Sequence, residues 1–266
     1  MIDKTINDKR GISSSTLKII AIIAMFIDHI GAVVLEPMIT RGISFPGMSL
    51  YELYELDSFI RLVIGRIAFP IFCFQLVEGF LKTSDVTQYA VRLFIFALLS
   101  ELPFNLAFRQ TLVDSSYQNV FFTLFIGLMV MILADRIRTA AWGKRFSPTI
   151  GNGLSVMLRI AVVAAGMVLA EALHTDYAAY GVMCITILYF FRYNKKKQIL
   201  AGSIAFFAGD IIMNGGSSEL LAPLGFIAVA CYNGQRGMRM KYVFYLFYPL
   251  HLLVLYGIQR LVLSGF

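Results

Sequence analysis

Apolar blocks long enough to cross a bilayer recur from one end of this 266-residue chain to the other, and they restrict its possible folds severely. A hydrocarbon core about 30 Å thick has no water for backbone N–H and C=O groups, so only helices or closed barrels cross it. A barrel needs alternating apolar and polar residues, whereas these blocks are solid. Only 15% of the residues are charged and mean hydropathy is +0.74; a soluble domain is roughly a quarter charged. The chain reads as an all-α polytopic transmembrane helical bundle, one domain over 1–266, with no soluble domain and no clear internal repeat. The polar N-terminus and the length of the first apolar block argue against a cleavable signal peptide.

Nine spans are predicted: 16–36, 59–81, 88–108, 117–134, 152–173, 177–193, 198–214, 219–233 and 241–262. Loop charges orient them. Lys4, Lys9, Arg10 and Lys18 precede or begin the first span, and every second loop after it is basic: Lys82 and Arg92; Arg136, Arg138, Lys144 and Arg145; Arg192 and Lys195 to Lys197; Arg236, Arg239 and Lys241. The intervening loops are poor in Lys and Arg. The positive-inside rule places the N-terminus in the cytoplasm. The net charge of +7 lies in these short loops, which suits topology and lipid headgroups rather than nucleic acid. Cys73, Cys184 and Cys231 lie in apolar runs without metal-ligand spacing and read as small buried hydrophobes. No metal ion is implied.

The first span, LKIIAIIAMFIDHIGAVVLEP, carries Asp28 and His29 in its second half. Ionisable groups in hydrocarbon are costly unless paired or wetted. At a rise of about 1.5 Å per residue, His29, Arg66, Glu101 and His251 fall near mid-membrane on spans one, two, three and nine. Four such groups at one depth should converge on an interior cavity, as a reactive site or as a charge network holding the bundle together. Pro70, Pro103 and Pro249 stand close to three of them and should kink their helices. Lys18 shares a helix face with His29, and Lys241, Tyr245 and Tyr248 lead towards His251. Two stripes from a cytoplasmic cation to a buried histidine suit an elongated anionic cofactor; snorkelling lysines and core tyrosines would look the same.

In order along the chain, LKIIAIIAMFIDHIGAVV, RLVIGRIAFPIFCFQLVEGF, RLFIFALLSELPFNLAF, NVFFTLFIGL, TDYAAYGVM and KYVFYLFYPLHLLVLYGI resemble the TraX family, named for a conjugal-transfer membrane protein linked to N-terminal acetylation of pilin. Ala178 stands where the family pattern leads us to expect glycine. The family in turn resembles multi-span acyltransferases that use a mid-membrane histidine. The resemblance implies an integral-membrane acetyltransferase in a bacterial plasma membrane, moving an acetyl group from cytoplasmic acetyl-CoA to an acceptor at the outer face. The acceptor is a peptide N-terminus, a glycan hydroxyl or a lipid headgroup. On that reading His29 is the general base, Asp28 or Glu101 fixes its tautomer, and Arg66 stabilises an oxyanion or a carboxylate. His251 and Tyr248 line the acyl pocket and exchange roles with His29; Lys18, Arg92 and Lys241, with Tyr245, meet the coenzyme. A proton-coupled small-molecule transporter and a non-catalytic partner of a surface-assembly system are the competing readings.

Overall fold

The computed structural model describes residues 10–140, 142, 147–216, 219–238 and 241–265, without the side chain of Lys241. The candidate coenzyme contact Lys241 therefore lies outside the described side chains. Six helical segments are long and apolar enough to cross a membrane: α1 (Ser14–Thr40), α2 (Leu50–Lys82), α3 (Val86–Arg109), α4 (Val120–Thr139), α5 (Pro148–Ala172) and α9, which begins at Lys241 and ends at Ser264. Between the last two lie α6 (Ala178–Phe190), α7 (Lys195–Asn214) and the six-residue α8 (Gly225–Ala230). The nine-span count is thus not reproduced by helix length. At about 1.5 Å per residue α6 and α8 are shorter than the hydrocarbon core. α7 reaches 20 residues but opens on three lysines and carries Asp210 and Asn214.

Capping sets the boundaries. Ser13, Ser49, Asp85, Asn119 and Asn194 each accept a backbone N–H at the start of α1, α2, α3, α4 and α7. Ser49 and Glu52 form a reciprocal capping box, so α2 begins at Leu50, inside the segment Met38–Ser58 expected to be an outer loop. Cys73 and Cys184 are buried as expected; Cys231 is exposed, because it caps the end of α8 rather than packing inside it.

The main apolar core joins α1, α2, α4, α6, α7 and α8 around Phe74, Leu128, Ile185 and Phe206. A second cluster holds α1, α2, α3 and α9 together around Val33, Phe104, Tyr248 and Leu252. The first turn of α1 is tied to the segment before α9: Ser14 and Ser15 donate their backbone N–H groups to the carbonyls of Gln235 and Arg236, and Asn233 N–H donates to the carbonyl of Ile12.

Two departures from regular helix frame the interior. α1 makes a π-turn at Gly31–Leu35, starting two residues after His29, and α2 a π-turn at Ile60–Ile64 followed by a 3-10 turn at Gly65–Ile67. Such turns widen or tighten the ladder and re-aim the side chains beside them. Gln259 of α9 is buried and donates to the carbonyl of Val33 within the first π-turn at 2.6 Å. At Gly65 the two helices approach so closely that a Cβ would strike the Asp28 carboxyl.

Candidate functional site

His29 and His251 meet. Nδ1 of His29 lies 2.7 Å from Nε2 of His251, with the rings 10° from parallel. Nδ1 of His251 is 2.8 Å from the carbonyl of Phe247, one turn back on α9. A carbonyl only accepts, so His251 Nδ1 carries a proton and its neutral ring presents a bare Nε2. That nitrogen accepts from His29 Nδ1–H, which leaves His29 Nε2 as the bare base. Phe247 stacks on His251 at 4.7 Å, and Phe26, Phe108 and Tyr248 meet the two rings edge-on.

His29 lines a cavity of ≈ 1210 Å³ whose wall includes Asp28, Arg66, Tyr117, Asp176, Glu219 and Tyr248. Glu36, Thr40, Arg41, Arg109 and Asn214 also line it, and they lie at or near the C-terminal ends of α1, α3 and α7. That end is opposite the basic loops. Lys18, Arg92 and Tyr245 do not line the cavity. Lys18 lies over the ring of Phe244 at 5.0 Å, Arg92 donates to Gln88 at 3.2 Å, and Tyr245 stacks on Phe96. Phe26 and Phe247 lie one turn from the histidine pair on the basic side.

Arg66 donates Nε to the carbonyl of Arg61 at 2.9 Å and Nη1 to Glu219, while Nη2 stands 4.0 Å from Asp28. Of the two roles expected for Arg66, partner of a carboxylate describes this geometry. Asp28 faces Arg66 rather than the ring of His29. Glu101 accepts from the backbone N–H and side-chain amide of Asn119 and fastens α3 to α4. The residue holding the His29 tautomer is therefore His251, not Asp28 or Glu101.

Two residues of the cavity wall stand outside the expected site set. Glu219 lies between α7 and α8, almost fully buried; its N–H donates to Asp210 at 2.9 Å, and Gly225 of α8 packs on the Ile67 carbonyl and Pro70 of α2. Asp176, between α5 and α6, accepts from the Tyr117 hydroxyl at 2.7 Å. Enclosure in the cavity wall pushes its carboxyl up to about 6. Next to it Tyr177 (φ 64°) and Ala178 (φ 38°) occupy the left-handed region, the conformation that a glycine at 178 would adopt without strain. Tyr177 stacks on Phe69 of α2 at 3.6 Å.

The family described as TraX protein matches residues 13–259. The chain belongs to the TraX family. It is also 30% identical over 269 aligned positions, covering 91% of this chain and 94% of the relative, to a probable fimbrial assembly protein FimC, serogroup H1, of Dichelobacter nodosus. No solved structure matches the chain. Within the matched residues lie all four ionisable groups expected at mid-depth, His29, Arg66, Glu101 and His251.

Proposed function

We propose that this TraX-family membrane protein is an acetyltransferase that takes an acetyl group from acetyl-CoA and passes it to an amine or hydroxyl acceptor. The observation carrying the reading is the hydrogen-bonded row His29–His251–Phe247 carbonyl, with His29 on the cavity wall. His29 Nε2 removes the proton from the acceptor N–H or O–H as the acceptor attacks the thioester carbonyl. The imidazolium so formed is stabilised through its Nδ1–H bond to His251. When the tetrahedral intermediate collapses, the C–S bond breaks and the thiolate recovers the proton from His29. Arg66, which lines the same cavity, supplies a cationic donor for the developing oxyanion.

The acceptor enters from the end opposite the basic loops, where the cavity is lined by Glu36, Arg41 and Arg109. A donor approaching from the basic side, past Lys18, Arg92 and Lys241, must displace the ring pair Phe26 and Phe247 to reach the histidines. The relative's description as a fimbrial assembly protein supports a surface-assembly role, and with it the competing reading of a non-catalytic assembly partner.

Purified protein in liposomes, given radiolabelled acetyl-CoA on one side and an amine or hydroxyl acceptor on the other, tests the proposal. Label on the acceptor, or acceptor-dependent release of free thiol, supports the enzyme. Accumulation of an intact solute inside the vesicles indicates a transporter. Neither result, from protein with a native melting transition, leaves the assembly partner.

A further inference from the structure

Away from the basic loops, the Lys and Arg side chains of the described residues are all arginines: Arg41, Arg61, Arg66, Arg109, Arg159 and Arg260. Four of these six, Arg41, Arg61, Arg66 and Arg109, line the cavity. A cation at a helix end is ordinary, because it meets the last carbonyls or lipid headgroups. Four on one cavity, rather than spread around the bundle, call for another cause.

Two of the four are neutralised. Arg61 pairs with Glu36 at 2.5 Å, and Arg66 with Glu219 and Asp28. The other two are not. Arg41, the residue after α1, is exposed, and its side chain has no hydrogen bond or ion pair among the described residues. Arg109 ends α3 and has only Nε near an acid, 3.7 Å from Asp114, whose Oδ1 accepts the N–H of Ser116. Two further acids of the wall are engaged elsewhere, Asp176 by the Tyr117 hydroxyl and Glu171 by the N–H of Ala179 at 3.3 Å.

α1 and α3 bring Arg41 and Arg109 to one part of the rim. The amide of Gln259 reaches the carbonyl of Val33 on α1 at 2.6 Å and that of Ala107 on α3 at 3.5 Å, so the two helices meet there. The wall then runs inwards to the histidine pair: Phe108, next to Arg109, meets the His29 ring edge-on. Arg41 stands twelve residues beyond His29, about 18 Å along the helix. The cavity of ≈ 1210 Å³ exceeds the usual range for small ligands, about 300–1,000 Å³.

We propose that Arg41 and Arg109 form a subsite for an anionic group, a carboxylate or a phosphate, carried by the acceptor away from the amine or hydroxyl that reaches His29. A planar guanidinium offers either anion two parallel N–H donors. An elongated anionic acceptor is held at both ends, and a neutral one of the same length at one. Calling this ligand an acceptor rests on the acetyltransferase reading; the anion subsite is a binding property that stands or falls without it.

Calorimetric binding to the full-length protein in neutral detergent, without acetyl-CoA, tests the subsite. The probes are pentaglycine with a free carboxylate, its C-terminal amide, and tetraglycine extended by the amide of phosphoserine; each spans about 17 Å when extended. Wild type should bind an anionic probe at least tenfold more tightly than the neutral amide, and the tighter of the two identifies the anion. Arg41→Gln and Arg109→Gln should each remove most of that preference and melt with wild type, since both side chains are exposed. His29→Ala should keep the preference, and so should Arg260→Gln, which alters an exposed arginine away from the cavity. Added salt should shrink it. Equal binding of the three probes, or binding of none, overturns the proposal. So does a preference that survives in the Arg41→Gln, Arg109→Gln double variant, or one that Arg260→Gln lowers as far. Charge preference without acetyl transfer in the liposome assay would sink the acetyltransferase reading and leave the subsite; transfer at equal rates to charged and neutral acceptors would do the reverse.

Discussion

His29 and His251 divide one task between two rings, and single substitutions should separate their parts. His29→Ala removes the base itself and should lower the acetyl-transfer rate at least 100-fold, the lower end of what a positioned general base contributes. Its melting temperature should stay near wild type, because the ring lines a cavity and has one side-chain hydrogen-bond partner among the described residues. His251→Phe keeps the stacking but lets the His29 tautomer relax; it should lower kcat with little change in KM for the acceptor. Steady-state kinetics of the two variants check both outcomes. Asp176 gives a pH signature. Its folded carboxyl titrates near 6 against an ordinary 3.8, so between those values the folded chain keeps a proton that the unfolded chain releases. Its contribution to stability is therefore greatest at low pH, falls as pH rises through that window and stays lost above it. Asp176→Asn should remove this component from a plot of melting temperature against pH. An unchanged slope between pH 4 and 6 would show that Asp176 is not its source.

At the scale of the element, two glycines do what no side chain could do in their place. Gly31 begins the π-turn of α1 where a Cβ would meet Asp57 and Arg61, and Gly65 lets Asp28 lie against the backbone of α2. Gly65→Ala should cost about 1–3 kcal/mol, as overpacking does, and should lower activity by moving Arg66 away from Asp28. Gly153→Ala, on the open face of α5, should be neutral or stabilise by up to about 1 kcal/mol through helix propensity. Thermal melts in detergent distinguish the two. These elements also show what the sequence could carry. His29, Arg66 and His251 stood out because an ionisable residue is conspicuous in an apolar run. Asp176 and Glu219 did not, because they sit in polar connections where carboxylates are ordinary. Only the packing of α8 on Ile67 and Pro70, and the stacking of Tyr177 on Phe69, turns those connections inwards. Helical spacing set Lys18 and Tyr245 on faces leading to the histidines, and Arg92 entered by its place at the cytoplasmic start of span three. Spacing gives a residue's face but not what packs on that face, and Phe244, Gln88 and Phe96 do so here.

For the whole molecule, the alternation of basic loops and the placement of helix ends tell one story. The cavity opens at the end where Lys and Arg are scarce in the loops, so acceptor access from outside depends on the N-terminus being cytoplasmic. In a Cys231→Ser background, Ser115→Cys should react with an impermeant thiol reagent on intact cells and Ser147→Cys should not; both positions are exposed. The reverse pattern would invert the direction of transfer. Asp57, another outer-loop position by sequence, is unsuitable for labelling because it is buried against the π-turn of α1. That segment also shows why the span count exceeded the number of full-length helices. Apolar composition identifies what is buried from water, and α6 and α8 are packed among neighbouring helices although each is shorter than the hydrocarbon core.

The clip between the first turn of α1 and the segment before α9 has a consequence for the chemistry. His29 stands 15 residues beyond Ser14, about 22 Å along the helix. His251 stands ten residues beyond the start of α9. The two histidines thus sit on helices joined twice, by a few backbone hydrogen bonds at the basic end and by the apolar contacts and the Gln259–Val33 bond around the rings. A fused tag, a trimmed N-terminus or a protein bound at the cytoplasmic surface should therefore reach the distance between the two ring nitrogens only after the contacts nearer the rings have given way.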